Sequence, residues 1–272
     1  MSSIVQTTKP AKGDARHKDR THSSELFSRV ALGSAPFVLL GAAWLLATEG
    51  HFVDPTFLPS MKSVALSLFH VFTRDSYIAD VWTSVYRVMA AFIVSAIVAI
   101  PLGLLTGHKK AVANTVEPFV GFVRYMPVPA FVPLCILWFG IGDAAKIVVI
   151  FLGTFFQLIL LSADVARTVP KDYFEAALTL GASQWQLIRR ILWPASLPGV
   201  VSASRTAVGW AWTYLVVAEI AGATSGIGFR IMQSQRYVET PKVFAGILVI
   251  GLLGMVTDLL FQVIQRLSFG WE

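Results

Sequence analysis

A single cysteine, Cys135, among 272 residues leaves no disulfide to staple the chain. It lies inside an apolar run and reads as core packing, with no redox or metal site following from it. None of the five histidines stands in an H-E-x-x-H spacing, and none pairs with Cys135. A chain with neither a nucleophile–base pair nor a metal cluster is a poor intramembrane enzyme, so no catalytic residue is assigned. No nucleotide-binding signature occurs either. The glycine-rich run 222–228 lacks the lysine and Ser/Thr of a phosphate-binding loop and reads as a turn. Charge is scarce as well: 14% charged residues stand against 55% hydrophobic ones, with a mean hydropathy of +0.66. That balance excludes an ordinary soluble domain and points to a membrane. The net charge of +6 is distributed as membrane orientation requires rather than as a nucleic-acid patch. Residues 1–29 are polar and basic without the apolar core of a signal peptide, and are expected to be a disordered cytoplasmic tail. No internal repeat at a fixed period is present.

What the chain does have is long apolar segments. A helical span needs about 20 such residues. The expected spans are Val30–Thr48, Ser84–Thr106, Phe119–Phe139, Ile147–Val165, Leu197–Ala221 and Val243–Leu267. The third carries Arg124, Pro127, Pro129 and Pro133 and must be kinked or broken. The second contains Pro101 and is expected to be interrupted there. Residues 59–72 are amphipathic, with Val64, Leu68 and Val71 on one face. They lie at the membrane surface or pack on the extracellular side. An all-α bundle of about six spans, with both termini cytoplasmic, places fifteen of the 22 Lys and Arg residues inside and leaves seven outside, Arg87 and Lys146 among them. This is a positive-inside bias.

Between the fourth and fifth spans lies a polar stretch with helical patterning, residues 168–194. Pro170 suits a first helical turn, and Asp172 and Glu175 complement its positive end. Phe174, Ala177, Leu178, Gly181, Trp185, Ile188 and Leu192 recur at helical spacing, which predicts one apolar stripe. Gly181 would cost about 1 kcal/mol inside a helix and makes better sense as a turn. Ser183 followed by Gln186 forms a capping box for a second short helix. Trp193-Pro194 is expected to end that helix. On pattern alone this hairpin either presents Glu175 and the small Ala176 and Ala177 to a soluble partner or rests on the lipid surface.

The order Pro133-Leu134-Cys135-Ile136-Leu137-Trp138-Phe139-Gly140-Ile141-Gly142 with Lys146, Glu175-Ala176-Ala177 with Gly181, Pro194 with Leu197-Pro198, and Glu219 followed by Gly226-Ile227-Gly228 resembles the nitrate, sulfonate, taurine and bicarbonate branch of ABC importer permeases. Trp193 stands where the family's loop often has leucine. The resemblance implies a type I importer fold with a transmembrane permease domain over 30–272. It implies a homodimer, two cytoplasmic ATPase subunits that bind the ATP, an extracytoplasmic substrate-binding protein, and no cofactor on this chain. The hairpin 168–194 would be the coupling helix, with Glu175, Ala176, Ala177, Leu178, Gly181 and Trp185 at the ATPase. The solute would be a small anion, and the chain would sit in a bacterial inner membrane among lipid. An ion-coupled secondary transporter is the alternative, and co-purification with an ATPase separates the two.

Polar and aromatic residues within the spans are candidates for the translocation pathway. They are Arg124, Gln157, Arg205, Trp210, Thr213, Tyr214 and Glu219. Arg124 and Arg205 are expected near the cytoplasmic ends, either snorkelling to the interface or supplying a positive field for an anion. Glu219 suits a structural pairing or a gate better than an anion path. Trp210 and Tyr214 share a helix face and could narrow a central route, while at least one of Trp210, Trp212 and Tyr214 is expected to be core.

Overall fold

The computed structural model describes residues 35–36, 38–73 and 77–269. The tail 1–29 and positions 30–34 of the first expected span lie outside them. Every regular element among the described residues is helical. The chain divides into two compact units, Met1–Met61 and Lys62–Glu272. In the first, α1 (Val38–Glu49) is followed by a turn in which the Thr56 N–H donates to Asp54 Oδ1 at 2.7 Å. The Trp44 Nε1–H donates to the Pro59 carbonyl at 2.9 Å and fixes that turn back on α1.

The second unit holds α2 (Met61–Thr73, beginning at the boundary), α3 (Tyr77–His108), α4 (Lys110–Val123), α5 (Val128–Phe139) and α6 (Asp143–Thr168). It continues with α7 (Lys171–Thr179), α8 (Gln184–Leu187), α9 (Trp193–Ile220), α10 (Ile227–Arg236) and α11 (Thr240–Ser268). α3, α6 and α11 are long and apolar enough to cross a membrane. α4 and α5 pass the same test only as a pair, bent by 92°. The expected break in the third span is therefore real, and its cause is local. Pro127 disfavours helical backbone at Met126 and heads α5 with an extended conformation. α9 has 28 residues, long enough to span, yet Arg205, Glu219 and several hydroxyl residues keep it below the apolarity of the others. By length and composition alone, three described helices qualify as spans, or four with the bent pair.

Pro101 does not interrupt its helix: α3 runs unbroken for 32 residues. Proline removes one helical hydrogen bond, but here the next two turns are clamped against α6. A Cβ on Gly103 would sit 2.4 Å from the Ile159 carbonyl oxygen, and one on Gly107 would sit 2.2 Å from that of Ala163. The two backbones therefore touch, as small residues four apart allow in membranes. The core forms where α3, α6 and α9 meet, around Val88, Ala91, Val149, Ile150, Ala211 and Leu215, with Cys135 buried beside them. α2 buries Val64 and Val71, and Val71 packs with Tyr77 and Ile227, so its apolar face is spent on protein. The middle of α11 turns an apolar face outward, with Leu252, Met255, Val256, Leu259, Leu260 and Val263 exposed.

Candidate functional site

The hairpin is built much as its residues require. α7 stops at Thr179, and two residues on Gly181 turns the chain with a φ of +79°, open to glycine at little cost. The Ser183 side chain then caps α8. The Gln186 N–H donates to Ser183 Oγ at 3.4 Å, and the Ser183 N–H donates to Gln186 Oε1 at 2.7 Å. Two expectations fail. The apolar stripe is split: Phe174, Ile188 and Leu192 pack inward with Leu104 and Val200, while Leu178 and Trp185 face out. The Gly181 turn reverses the chain, so one helical period cannot run through both arms. Nor does Trp193-Pro194 end the second arm. α8 passes through a π turn, Ile188–Leu192, directly into α9. Trp193 N–H donates five residues back to Ile188, and Pro194, which has no N–H, follows in the first turn of α9.

The hairpin's free side exposes Tyr173, Leu178, Leu180 and Trp185, and Leu180 is 88% exposed. Glu175 and Ala176 are exposed beside them, and Ala177 is half-buried. Ala177, Leu180, Gly181, Gln186, Arg190 and Ile191 line a shallow depression of about 360 Å³. His108, at the end of α3, stacks on Phe174 with ring centres 4.8 Å apart, joining hairpin and bundle.

Midway along the bundle, Arg124, Gln157 and Tyr214 come together around a mostly apolar cavity of about 230 Å³ walled by Phe119, Phe131 and Phe156. Arg124 is exposed at the α4–α5 bend, donating to the Tyr125 hydroxyl at 2.9 Å. Thr213 is exposed and Trp210 half-buried, while Trp212 is core, its indole N–H donating to Thr257 Oγ1 at 3.1 Å. Arg205 does not sit at a helix end. It lies within α9 and forms a bidentate pair with Asp258 of α11.

Glu219 lines no path in this conformation, being 1% exposed. It is the centre of a buried polar network at the end of the bundle opposite the hairpin. Asp80, Ser84 and Arg87 occupy one face of α3. Arg87 Nη1 donates to Glu219 Oε1 at 2.7 Å, and its Nη2 donates to Asp143 at 2.6 Å. Three successive amides at the start of α10 are then satisfied from the bundle. Gly226 N–H reaches Asp80 at 2.6 Å, Ile227 N–H reaches Ser84 at 2.9 Å, and Gly228 N–H reaches Glu219 at 2.7 Å. These are groups a helix leaves unpaired, so the network is also a cap. Arg230 pairs with Asp80 at 2.6 Å, and Lys146, 2% exposed, donates to the carbonyls of Ile141 and Gly222. The pairing expected of Glu219 is thus observed. Reading Arg87 and Lys146 as outside charges missed their burial. The signal for Arg87 was the helical spacing of Asp80, Ser84 and Arg87 along an otherwise apolar helix; Lys146, on α6, had no such local signal.

Residues 99–268 match the model of the binding-protein-dependent transport system inner membrane component, the permease part of ABC importers. The chain belongs to this family. The permease is 32% identical over 237 residues to SsuC of Bacillus subtilis strain 168, named as an aliphatic sulfonates transport permease, covering 87% of this chain and 86% of that one. It is 30% identical over 240 residues to the taurine transport system permease TauC of Escherichia coli K12, covering 86% and 87%. A riboflavin transport permease, RibX of Chloroflexus aurantiacus, is 30% identical over 165 residues, covering 61% and 62%. A chain of the inward-facing MetNI methionine ABC transporter aligns with a TM-score of 0.63 at 20% identity over 70% of this permease and 94% of that chain. The permease therefore has the type I ABC importer fold, and it is no enzyme itself. Membership implies a substrate-binding protein and an ABC ATPase as partners, and rules against the ion-coupled alternative.

Proposed function

We propose that this permease imports a small organic anion of the sulfonate class, as a homodimer with two ATPase subunits on the cytoplasmic side and a binding protein on the other. Both termini and the 168–194 hairpin are cytoplasmic in this reading. The observation that carries it is the hairpin's exposed apolar side, where Leu178, Leu180 and Trp185 stand out beside Glu175. Such a patch on a polar loop suits a protein groove, with Ala176 and Ala177 allowing close approach. Because the second arm continues into α9, movement of the hairpin would carry α9 with it. Trp210, Thr213 and Tyr214 would then move relative to Arg124 and Gln157, opening and closing the path. Glu219 holds the opposite end together. ATP is bound by the partner, and this chain contributes no cofactor site.

The relatives transporting aliphatic sulfonates and taurine support the anion, and Arg124 at the cavity supports it independently. The aromatic walls of the same cavity favour a second reading, a flat heterocycle such as riboflavin. The test is ATP-dependent uptake by the reconstituted importer, using taurine, ethanesulfonate and riboflavin. Uptake of the sulfonates, abolished by Glu175→Lys and by Gly181→Leu with insertion intact, is expected. Full uptake and ATPase co-purification in both variants would refute the coupling role. Riboflavin uptake alone would select the second reading.

A further inference from the structure

Arg205 and Asp258 are the least explained charges of the bundle. Arg205 lies roughly 18 Å from the first residue of α9, and Asp258 roughly 15 Å from the last residue of α11, at 1.5 Å per residue. Both depths fall within a hydrocarbon core about 30 Å thick. Yet the pair is not sealed: the side chains are 39% and 38% exposed. A half-exposed ion pair at this depth faces a wet route rather than lipid, since ionisable groups within spans line cavities or pair inside bundles. The surroundings indicate which way it opens. From Ile247 to Ile264 the exposed residues of α11 are apolar, whereas α9 presents Ser202, Thr206, Gly209 and Thr213 on its exposed side. The seam therefore opens toward the polar side of α9.

The geometry of the pair is that of a replaceable counter-ion. Arg205 Nε and Nη2 donate to the two Asp258 oxygens, the latter at 2.9 Å, while Nη1 has no partner among the described residues. Asp258 has a second holder, because Gln262 Nε2 donates to its Oδ2 at 2.8 Å. If Arg205 lets go, Asp258 keeps a hydrogen bond. We infer that Arg205 is a transient oxyanion site, at which a sulfonate or carboxylate displaces Asp258 from the guanidinium and is itself displaced when Asp258 returns. The exchange keeps one negative group on Arg205 at each stage, so no unpaired cation is left at membrane depth. It also keeps the site from becoming a trap. A permanently bare arginine would hold the anion, and a permanently paired one would ignore it. This rests on the anion reading proposed above and adds where the anion pauses and what ejects it.

The test uses the assembled importer with Thr206→Cys in a Cys135→Ala background. Thr206 adjoins Arg205 and is exposed. Two thiol reagents of similar size are compared, one bearing a sulfonate and one a trimethylammonium. Relative to the unaltered pair, Asp258→Asn should raise the ratio of sulfonate to ammonium labelling by about tenfold and Arg205→Gln should lower it by about as much, the size of a local field effect. Ethanesulfonate should protect the cysteine best in Asp258→Asn and not at all in Arg205→Gln. Arg205→Lys, which keeps charge and loses the fork, should retain the ratio and weaken the protection. Labelling is read only on complexes that retain the ATPase, which removes misfolded material. A cysteine reached by neither reagent, because lipid or a second copy covers it, overturns the inference, as does a ratio unchanged across the variants. Ethanesulfonate uptake by the parent importer is measured alongside. Uptake with a flat labelling pattern discards the site and keeps the anion reading, and the expected labelling without uptake discards that reading and keeps the site.

Discussion

Gly226 shows how narrowly single residues are constrained at the end of the bundle opposite the hairpin. Its φ is +107°, and an added Cβ would lie 2.3 Å from Glu219 Oε1 and 2.7 Å from Arg87 Nη1. A methyl group there must push apart a buried carboxylate and guanidinium, or forfeit the amide bonds to Asp80 and Ser84. Gly226→Ala should therefore destabilise the permease by roughly 3 kcal/mol, the scale of a broken buried ion pair. Gly251→Ala, where a Cβ meets nothing within 4 Å, should be neutral. Thermal denaturation of the two variants in detergent, followed by size-exclusion fluorescence, makes the comparison. Equal melting temperatures would mean that the network tolerates expansion. The Gly226-Ile227-Gly228 sequence thus has a physical meaning beyond its family likeness: it lets three amides reach acceptors on two other helices.

At the scale of elements, the π turn between α8 and α9 sets the angle at which the hairpin meets the bundle. Pro194→Ala restores an N–H and allows the turn to relax toward α-helix, which would rotate the hairpin about α9. ATP hydrolysis should then continue while uptake per ATP falls several-fold, checked by measuring both in the same vesicles; an unchanged ratio would show that the rotation is immaterial. This turn also marks a limit of what sequence could reveal. The capping box, the Gly181 turn and the broken third span were legible, because each depends on residues within a few positions. The continuity of α8 with α9 was not, since Trp193-Pro194 is an ordinary stop signal unless the following helix is ready to accept it. Arg205 was legible as a polar residue in a span and illegible as half of a pair. Asp258 lies 53 residues away, and only packing brings it near. Pro101 misled for the same reason, its cost being met by a helix contact invisible in the local pattern.

For the whole molecule, the opposite-end network ties α3, α6, α9 and α10 into one body, with Arg87 and Arg230 paired to Asp80, Asp143 and Glu219 and Lys146 donating to the carbonyls of Ile141 and Gly222. Removing α9 should therefore cost more than its own contacts. A chain cut after Leu192 is expected to insert but to be degraded several-fold faster than one cut after Glu239, because the earlier cut leaves Arg87 without Glu219 at membrane depth. Pulse–chase in cells measures this, and equal half-lives would show that Asp143 alone suffices. The same spacing has a consequence during synthesis. Arg87 leaves the ribosome 56 residues before Asp143 and 132 before Glu219. At about 5–20 residues per second, it waits roughly 3–11 s for the first partner and 7–26 s for the second. Throughout that interval α3 is held in the translocon or the bilayer only by its own apolar length, so the tempo of translation between α6 and α9 should govern how much of this permease matures.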